Sequence, residues 1–223
     1  MGEVAAGVTD LLLGAVLLAC ALRLARAAGT HRYWAMMFWS AGAAALIGAA
    51  HHLLFADTPA ASDASWIAVG VLVAVAISYM LAATAVEILD RRLARVFIGV
   101  RVVGLLGYLG GVLLLGAGSR TTPLVVGESV TMAAVVGLWA YALYAGHPGA
   151  GRILVAIAVC ALPAVFFALP DDALVGAVGL DARSLQHLGQ IAGVLLLSRF
   201  VIAAGSAPAS IAGVHGRYEG ESA

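Results

Sequence analysis

The chain alternates between long apolar stretches and short polar breaks. Apolar runs of about 20 residues, the length that an α-helix needs to cross the hydrocarbon of a bilayer, occur near 5–26, 34–56, 66–89, 95–117, 123–145, 151–169 and 185–205. Clusters of charged or turn-forming residues separate these runs. Because short connections join antiparallel neighbours, the pattern predicts one bundle of seven transmembrane helices.

The composition agrees with this prediction. Hydrophobic residues make up 63% of the 223 residues, charged residues make up 11%, and the mean hydropathy is +1.03. Such a chain has too little polar surface to cover a soluble globule of this size. We therefore predict an all-α, multi-pass integral membrane protein of a bacterial inner (plasma) membrane, with the lipid bilayer as its first partner.

The charges exclude two classes of function. The formal net charge is zero and no long basic run is present, so the electrostatic footprint of a nucleic-acid-binding protein is missing. All 12 basic residues are arginine, and a chain without lysine cannot form a Schiff base with a carbonyl ligand. The two cysteines, Cys20 and Cys160, lie inside apolar runs and are expected to remain free thiols.

The distribution of arginine predicts the orientation of the bundle. One arginine-poor set of loop ends holds only Arg120 and Arg183, whereas the other holds Arg23, Arg26, Arg32, Arg91, Arg92, Arg95, Arg152 and Arg217. Because positive residues favour the cytoplasmic side, we expect the N-terminus outside and the C-terminus in the cytoplasm. Residues 1–205 then form one seven-helix domain, and residues 206–223, rich in small and polar residues, form a disordered cytoplasmic tail.

Ionisable residues interrupt four of the apolar runs. They are Asp10 in the first run, His51 and His52 in the second, Glu128 in the fifth and His187 in the seventh. A polar group in hydrocarbon costs several kcal/mol unless it is paired, hydrated or bound to a ligand. The predicted orientation places all of them near the outer face, so we expect them to line one shared polar pocket.

Neighbouring polar residues extend this predicted pocket. Gln190 shares a helix face with His187, Thr131 shares one with Glu128, and Arg183 and Ser184 precede the seventh run. These four are the predicted substrate-pocket residues, although Ser184 also suits a helix N-cap. One imidazole of the His51/His52 pair is expected to point into the bundle. Any one of these groups, taken alone, can instead be a hydrogen-bonding strut between helices.

A second polar set is predicted near the opposite face of the membrane. Glu87 ends the third run and Arg101 follows early in the fourth. Antiparallel neighbouring helices would bring the two side chains to a similar depth, and the long arginine side chain can extend towards the membrane surface. The sequence therefore predicts an ion pair between Glu87 and Arg101.

The residue types in the predicted outer pocket suit metal-dependent hydrolysis. Zinc binds imidazole nitrogen and carboxylate oxygen and keeps an open position for water when it is catalytic. His51 or His52, His187 and an acid from Asp10 or Glu128 would supply three ligands. A zinc-bound water beside the remaining carboxylate could then hydrolyse the ester or amide bond of a lipid-like molecule. Glu128 and Asp10 are the predicted catalytic carboxylates.

These residues resemble a known group of seven-span membrane hydrolases, which contains the alkaline ceramidases and the adiponectin receptors. The resemblance rests on His51 and His52 in the second span, on His187 at the start of the seventh, and on the size and orientation of the chain. It implies zinc held by histidines of those two spans. The chain departs from the pattern at Ile47 and Gly48, where the group has serine, and at Arg183, where it has a further histidine.

Three other functions remain open from the sequence. The first is a non-enzymatic protein whose polar cluster binds a small ligand or fixes helix packing. The second is a haem protein, in which two imidazoles from different helices ligate one iron. The third is a proton-coupled protein with a path between the outer and inner polar sets.

Overall fold

The computed structural model describes residues 2–26, 32–115, 121–168 and 171–205, which are helical almost throughout. The helices are α1 (Gly2–Arg26), α2 (Arg32–Ala50), α3 (Pro59–Ile88), α4 (Arg91–Leu115), α5 (Thr121–Tyr144), α6 (Ala150–Ala161), α7 (Asp171–Val178) and α8 (Ala182–Gly205). A π-helical turn, His51–Phe55, continues α2, and a 3-10 helix, Leu162–Ala168, continues α6. No strand occurs in the described ranges, so the predicted all-α class is confirmed.

Seven of the described helices are long and apolar enough to cross a membrane, which confirms the predicted number of spans. The short helix α7 precedes the seventh span. The main difference from the sequence lies in α3, which has 30 residues and begins at Pro59, before the apolar run. Proline is favoured at the first position of a helix, and residues 59–65 add about two turns before the apolar run. The predicted tail, residues 206–223, lies outside the described residues, and the orientation of the termini stays a prediction.

Six helices close a ring. In order around it, α1 packs on α2, α2 on α3, α3 on α5, α5 on α6, α6 on α8 and α8 on α1. Helix α4 lies outside the ring and packs mainly against α3. Its glycines Gly104, Gly107 and Gly111 have open space beside them, so they do not form the close helix contact that their spacing favours.

One half of the ring is tightly packed. Around the end of α1 and the start of α2, large aromatic side chains are fully buried, among them Trp34, Phe38 and Trp139. Their polar atoms have partners, because Trp139 Nε1 donates to Thr84 Oγ1 at 3.1 Å and Trp34 Nε1 donates to Glu87 Oε2 at 3.3 Å. This half is closed, whereas the opposite half, where α1 begins and α2 ends, contains a cavity. We call that opposite half the amino-terminal end of the bundle.

Candidate functional site

The π-helical turn His51–Phe55 places two adjacent histidines in the interior. Both imidazoles are buried, whereas the sequence predicted only one of them inside. A π turn holds more residues than an α turn, and it presents the two rings to different neighbours. His51 Nδ1 lies 2.8 Å from Ser65 Oγ on α3, and its ring packs at 4.5 Å from the ring of Trp66. His52 faces α1 instead.

Asp10 lies between His52 and His187. The carboxylate Oδ1 is 3.3 Å from His187 Nε2, and Oδ2 is 3.9 Å from His52 Nε2. All three side chains are largely buried and line the same cavity. The structure thus brings together, from α1, α2 and α8, three of the predicted site residues. We call Asp10, His52 and His187 the central cluster.

The other ring nitrogen of each imidazole is held by a neighbour on α1. His52 Nδ1 lies 2.5 Å from Glu3 Oε2, and a carboxylate can only accept, so this nitrogen carries the hydrogen. His187 Nδ1 lies 3.1 Å from Thr9 Oγ1. The one hydrogen of the Thr9 hydroxyl is directed towards the backbone carbonyls of Ala5 and Ala6, each 3.0 Å away, so Oγ1 accepts from His187 Nδ1. From these partners we assign the Nδ1–H tautomer to both rings.

Gly48 makes room for the Asp10 carboxylate. A Cβ atom at this position of α2 would lie 2.7 Å from Asp10 Oδ2, which is closer than van der Waals contact allows. Gly48 thus leaves room at this point between α1 and α2 for the Asp10 carboxylate to lie beside both imidazoles. The sequence comparison with the hydrolase group treated Gly48 only as a missing serine, whereas here it shapes the cluster.

The cavity beside the central cluster has a volume of about 450 Å³. At the amino-terminal end of the bundle its wall is polar, formed by the central cluster with Arg183, Gln186 and Gln190. Further into the ring the wall is apolar, and it includes Leu17, Phe38, Ala45, Val73, Met80 and Leu197. A cavity with one polar end and a long apolar body suits an amphipathic molecule.

Charged side chains stand at the mouth of the cavity. Arg183 Nη1 lies 3.8 Å from Glu3 Oε1, and both side chains are half exposed. Asp181 precedes α8 and its Oδ1 accepts from the backbone N–H of Ser184 at 2.9 Å, so Asp181 rather than Ser184 is the N-cap. Partial burial acts to raise the pKa of Asp181, but hydrogen bonds from Ser184 and the charge of Arg183 outweigh it and hold that pKa below its usual range.

Four predicted pocket residues do not line this cavity. Ser184 is fully buried under the mouth and does not line the cavity. His51 is also separated from it, since its ring is directed to Ser65 and Trp66. Glu128 and Thr131 on α5 do not line the cavity either. Thr131 Oγ1 donates to the Gly127 carbonyl at 2.7 Å within its own helix.

Glu128 instead pairs with Arg101 between α3, α4 and α5. Arg101 Nη2 donates to Glu128 Oε1 at 2.7 Å and to the Ala74 carbonyl at 3.1 Å, and Arg101 Nε donates to Ser78 Oγ at 2.8 Å. The predicted pairing of Arg101 with Glu87 was therefore wrong. The arginine side chain extends sideways across the helix interface, because two hydrogen-bond acceptors of α3 and a carboxylate of α5 lie within its reach.

The arrangement offers few metal ligands. Within the ranges that the structure describes, no group of three or more His, Cys, Asp or Glu side chains stands ready to hold a metal ion. The central cluster contains two imidazoles and one carboxylate, but its 3.9 Å separation between His52 and Asp10 is wide. The predicted zinc site stays a prediction, restricted to Asp10, His52 and His187. Cys20 and Cys160 are free thiols, as expected.

Sequence reasoning missed three residues that build the site. Glu3 and Thr9 fix the imidazole tautomers, and Gly48 admits the carboxylate. Thr9 and Gly48 look like ordinary residues of apolar helices. Glu3 stands at the start of α1 at the same end of the bundle as His52, and this common depth is the one signal that would have suggested their contact.

Comparison with known proteins gives a family and little more. No curated protein and no solved structure matches the chain, so the resemblance to the seven-span hydrolases stays a prediction. One family model covers residues 5–206, which includes all seven membrane-capable helices except the first two residues of the first span. The chain therefore belongs to this family, DUF6962, which is described as a family of unknown function.

Proposed function

We propose that the protein binds a lipid-like amphiphile in its cavity, with the polar group of the ligand against the central cluster. One observation supports this proposal above the others: the cavity wall changes from polar at Asp10, His52 and His187 to apolar along the remainder of its length. An apolar chain in the cavity would make van der Waals contacts with the apolar wall, and these contacts are missing when the cavity is empty. The polar group would find acceptors and donors at the other end.

We further propose that this polar end lies near the outer face of a plasma membrane. Arg23 and Arg26 are in the last turn of α1, and Arg91 and Arg92 begin α4, at the end of the bundle remote from the cluster. The positive-inside rule would put that remote end in the cytoplasm. A ligand would then reach the cavity from the outer leaflet.

Filling the apolar part of the cavity tests the binding proposal. Ala45 belongs to that apolar part of the wall. We expect Ala45→Trp to exclude the alkyl portion of the ligand because the indole occupies its space. Native mass spectrometry of the protein purified from membranes should show a bound amphiphile in the wild type and a loss of at least about 80% of it in the variant, equivalent to roughly 1 kcal/mol of binding free energy or more.

The matched control is Ala140→Trp on the exposed side of α5. It adds the same indole outside the cavity and should leave the bound amphiphile in place. Thermal unfolding of both variants in detergent shows whether the helices remain packed. Equal amphiphile content in Ala45→Trp and the wild type, with both proteins folded, would contradict the binding proposal.

A second candidate function is hydrolysis of an ester or amide at the central cluster. It is favoured by the approach of two imidazole Nε2 atoms and one carboxylate from three helices. Each imidazole is oriented by a hydrogen bond at Nδ1, and such second partners are common behind the histidine ligands of zinc. A bound zinc ion would activate water next to the polar group of the ligand. Glu128 takes no part in this version, because it pairs with Arg101.

Metal content tests the hydrolase candidate. If this candidate is correct, purified protein should bind close to one zinc ion per chain, measured by elemental analysis after dialysis. His187→Ala should then lower zinc affinity by at least about tenfold, since loss of a group behind a metal ligand already costs about 10–100-fold. His147→Ala is the control, since His147 contacts the Pro148 carbonyl between α5 and α6. A wild-type protein that stays free of metal in the presence of zinc rejects this candidate and leaves the binding function.

A further inference from the structure

The central cluster presents three hydrogen-bond acceptors to the cavity with no donor between them. With Nδ1–H directed to Glu3 in one ring and to Thr9 in the other, each imidazole in its neutral form would turn the lone pair of Nε2 towards Asp10. The carboxylate is itself an acceptor. The separations of 3.3 Å and 3.9 Å are longer than the 2.7–2.9 Å or so of a charge-assisted hydrogen bond. The central cluster itself therefore lacks a donor.

The charges around the cluster favour a cation as that donor. Glu3 and Asp10 carry negative charge and Arg183 carries positive charge, so these contacting groups leave one excess negative charge when both imidazoles are neutral. Asp181 adds another carboxylate close to Arg183 and His187. In surroundings of low dielectric constant an excess charge is costly. A monocation would reduce this negative charge, whereas an anionic ligand would add to it.

The dimensions of the cavity limit the apolar part of the ligand. Its wall extends from Trp66 to Met80 on α3 and from Arg183 to Leu197 on α8, and either span corresponds to about 21 Å at the rise of an α-helix. A volume of about 450 Å³ spread over that length accommodates one extended alkyl chain.

We propose that the ligand of the cavity is a single-chain amphiphile with a primary ammonium group, held by Asp10, His52 and His187. The inference rests on the proposed binding function and names its ligand class. A primary ammonium has three N–H donors, which match the three acceptors of the central cluster. The chain would extend along Phe38, Val73 and Leu197 towards the closed half of the ring.

Binding of four amphiphiles that share a hexadecyl chain tests this proposal. The full-length protein in nanodiscs of phosphatidylcholine is titrated with hexadecylamine, hexadecanol, hexadecanoic acid and hexadecyltrimethylammonium, and affinity is read from the fluorescence of Trp66, measured as the difference from Trp66→Phe. We expect the amine to bind at least about tenfold more tightly than each of the others, a difference that one charge-assisted hydrogen bond accounts for. The trimethylammonium compound has the same charge but no N–H.

Asp10→Asn is the variant that should remove this preference. It keeps the shape of the side chain while removing the charge, so hexadecylamine should lose its advantage over hexadecanol. Glu128→Gln removes a membrane carboxylate outside the cavity and should keep the advantage. Phosphatidylethanolamine, with an ammonium group on a two-chain lipid, should compete poorly with the single-chain amine.

The outcomes separate the two proposals. If hexadecanol or hexadecanoic acid binds as tightly as the amine, the ligand class is wrong while the amphiphile cavity stands. If zinc binds to the central cluster and excludes the amine, a divalent ion is the cation that the cluster holds, and the ligand class is again wrong. If none of the four amphiphiles binds to the folded protein, both the ligand class and the binding function are wrong.

Discussion

Arg101→Met should lower the free energy of unfolding strongly. It leaves the buried Glu128 carboxylate without its partner, and Glu128 Oε2 already has no hydrogen-bond partner in the structure. Breaking a buried ion pair on one side costs about 3–5 kcal/mol, because the remaining charge stays in surroundings of low dielectric constant. Unfolding in a gradient of sodium dodecyl sulfate, followed by circular dichroism, measures the change.

The double variant Arg101→Met with Glu128→Leu is the control. It removes both charges and should recover most of the lost stability, since apolar replacements of a buried pair are often neutral or stabilising. It should also keep amphiphile binding, because neither side chain lines the cavity. A stable double variant that no longer binds amphiphile would show that Glu128 takes part in binding, as the sequence predicted.

Gly48→Ala should abolish amphiphile binding with a smaller effect on stability. The added methyl group would stand 2.7 Å from Asp10 Oδ2, so the carboxylate has to move away from the two imidazoles. Overpacking of this kind costs about 1–3 kcal/mol. The ligand loses the only carboxylate of the central cluster, and we expect a loss of at least about 30-fold in affinity, equivalent to roughly 2 kcal/mol.

Gly104→Ala is the matched control for this prediction. Gly104 lies in α4, where a Cβ atom would meet nothing within 4 Å. Replacing an exposed helical glycine with alanine should leave binding unchanged and raise stability by up to about 1 kcal/mol. If Gly48→Ala binds the amphiphile with wild-type affinity, the observed position of the Asp10 carboxylate is not required for binding.

The binding proposal connects three levels of the structure. A π-helical turn rotates His52 towards α1, Glu3 and Thr9 fix the tautomers of the two imidazoles, and a glycine admits the carboxylate. The result is a group of acceptors at one end of an apolar cavity. The Ala45, Gly48 and Asp10 substitutions test in turn the volume of the cavity, the geometry of the central cluster and its charge.

Particular residues show how far the sequence could predict the site. Asp10 and His187 were predicted together because each interrupts an apolar run near the same end of the bundle, and the structure places them 3.3 Å apart. Glu128 fulfilled the same criterion and nevertheless lies elsewhere, against Arg101. Depth along a helix can be counted from the sequence, but the direction of a side chain around the helix axis depends on which helices are neighbours.

The sequence by itself determined the class of the protein and the number of its spans, because the length and hydropathy of each run follow from composition alone. It also determined which ionisable residues are costly in hydrocarbon and must find partners. Only the tertiary structure decided those partners. The ring order of the helices, the π-helical turn at His51 and the close approach of Asp10 to Gly48 arise from contacts between distant segments, and no local pattern encodes them.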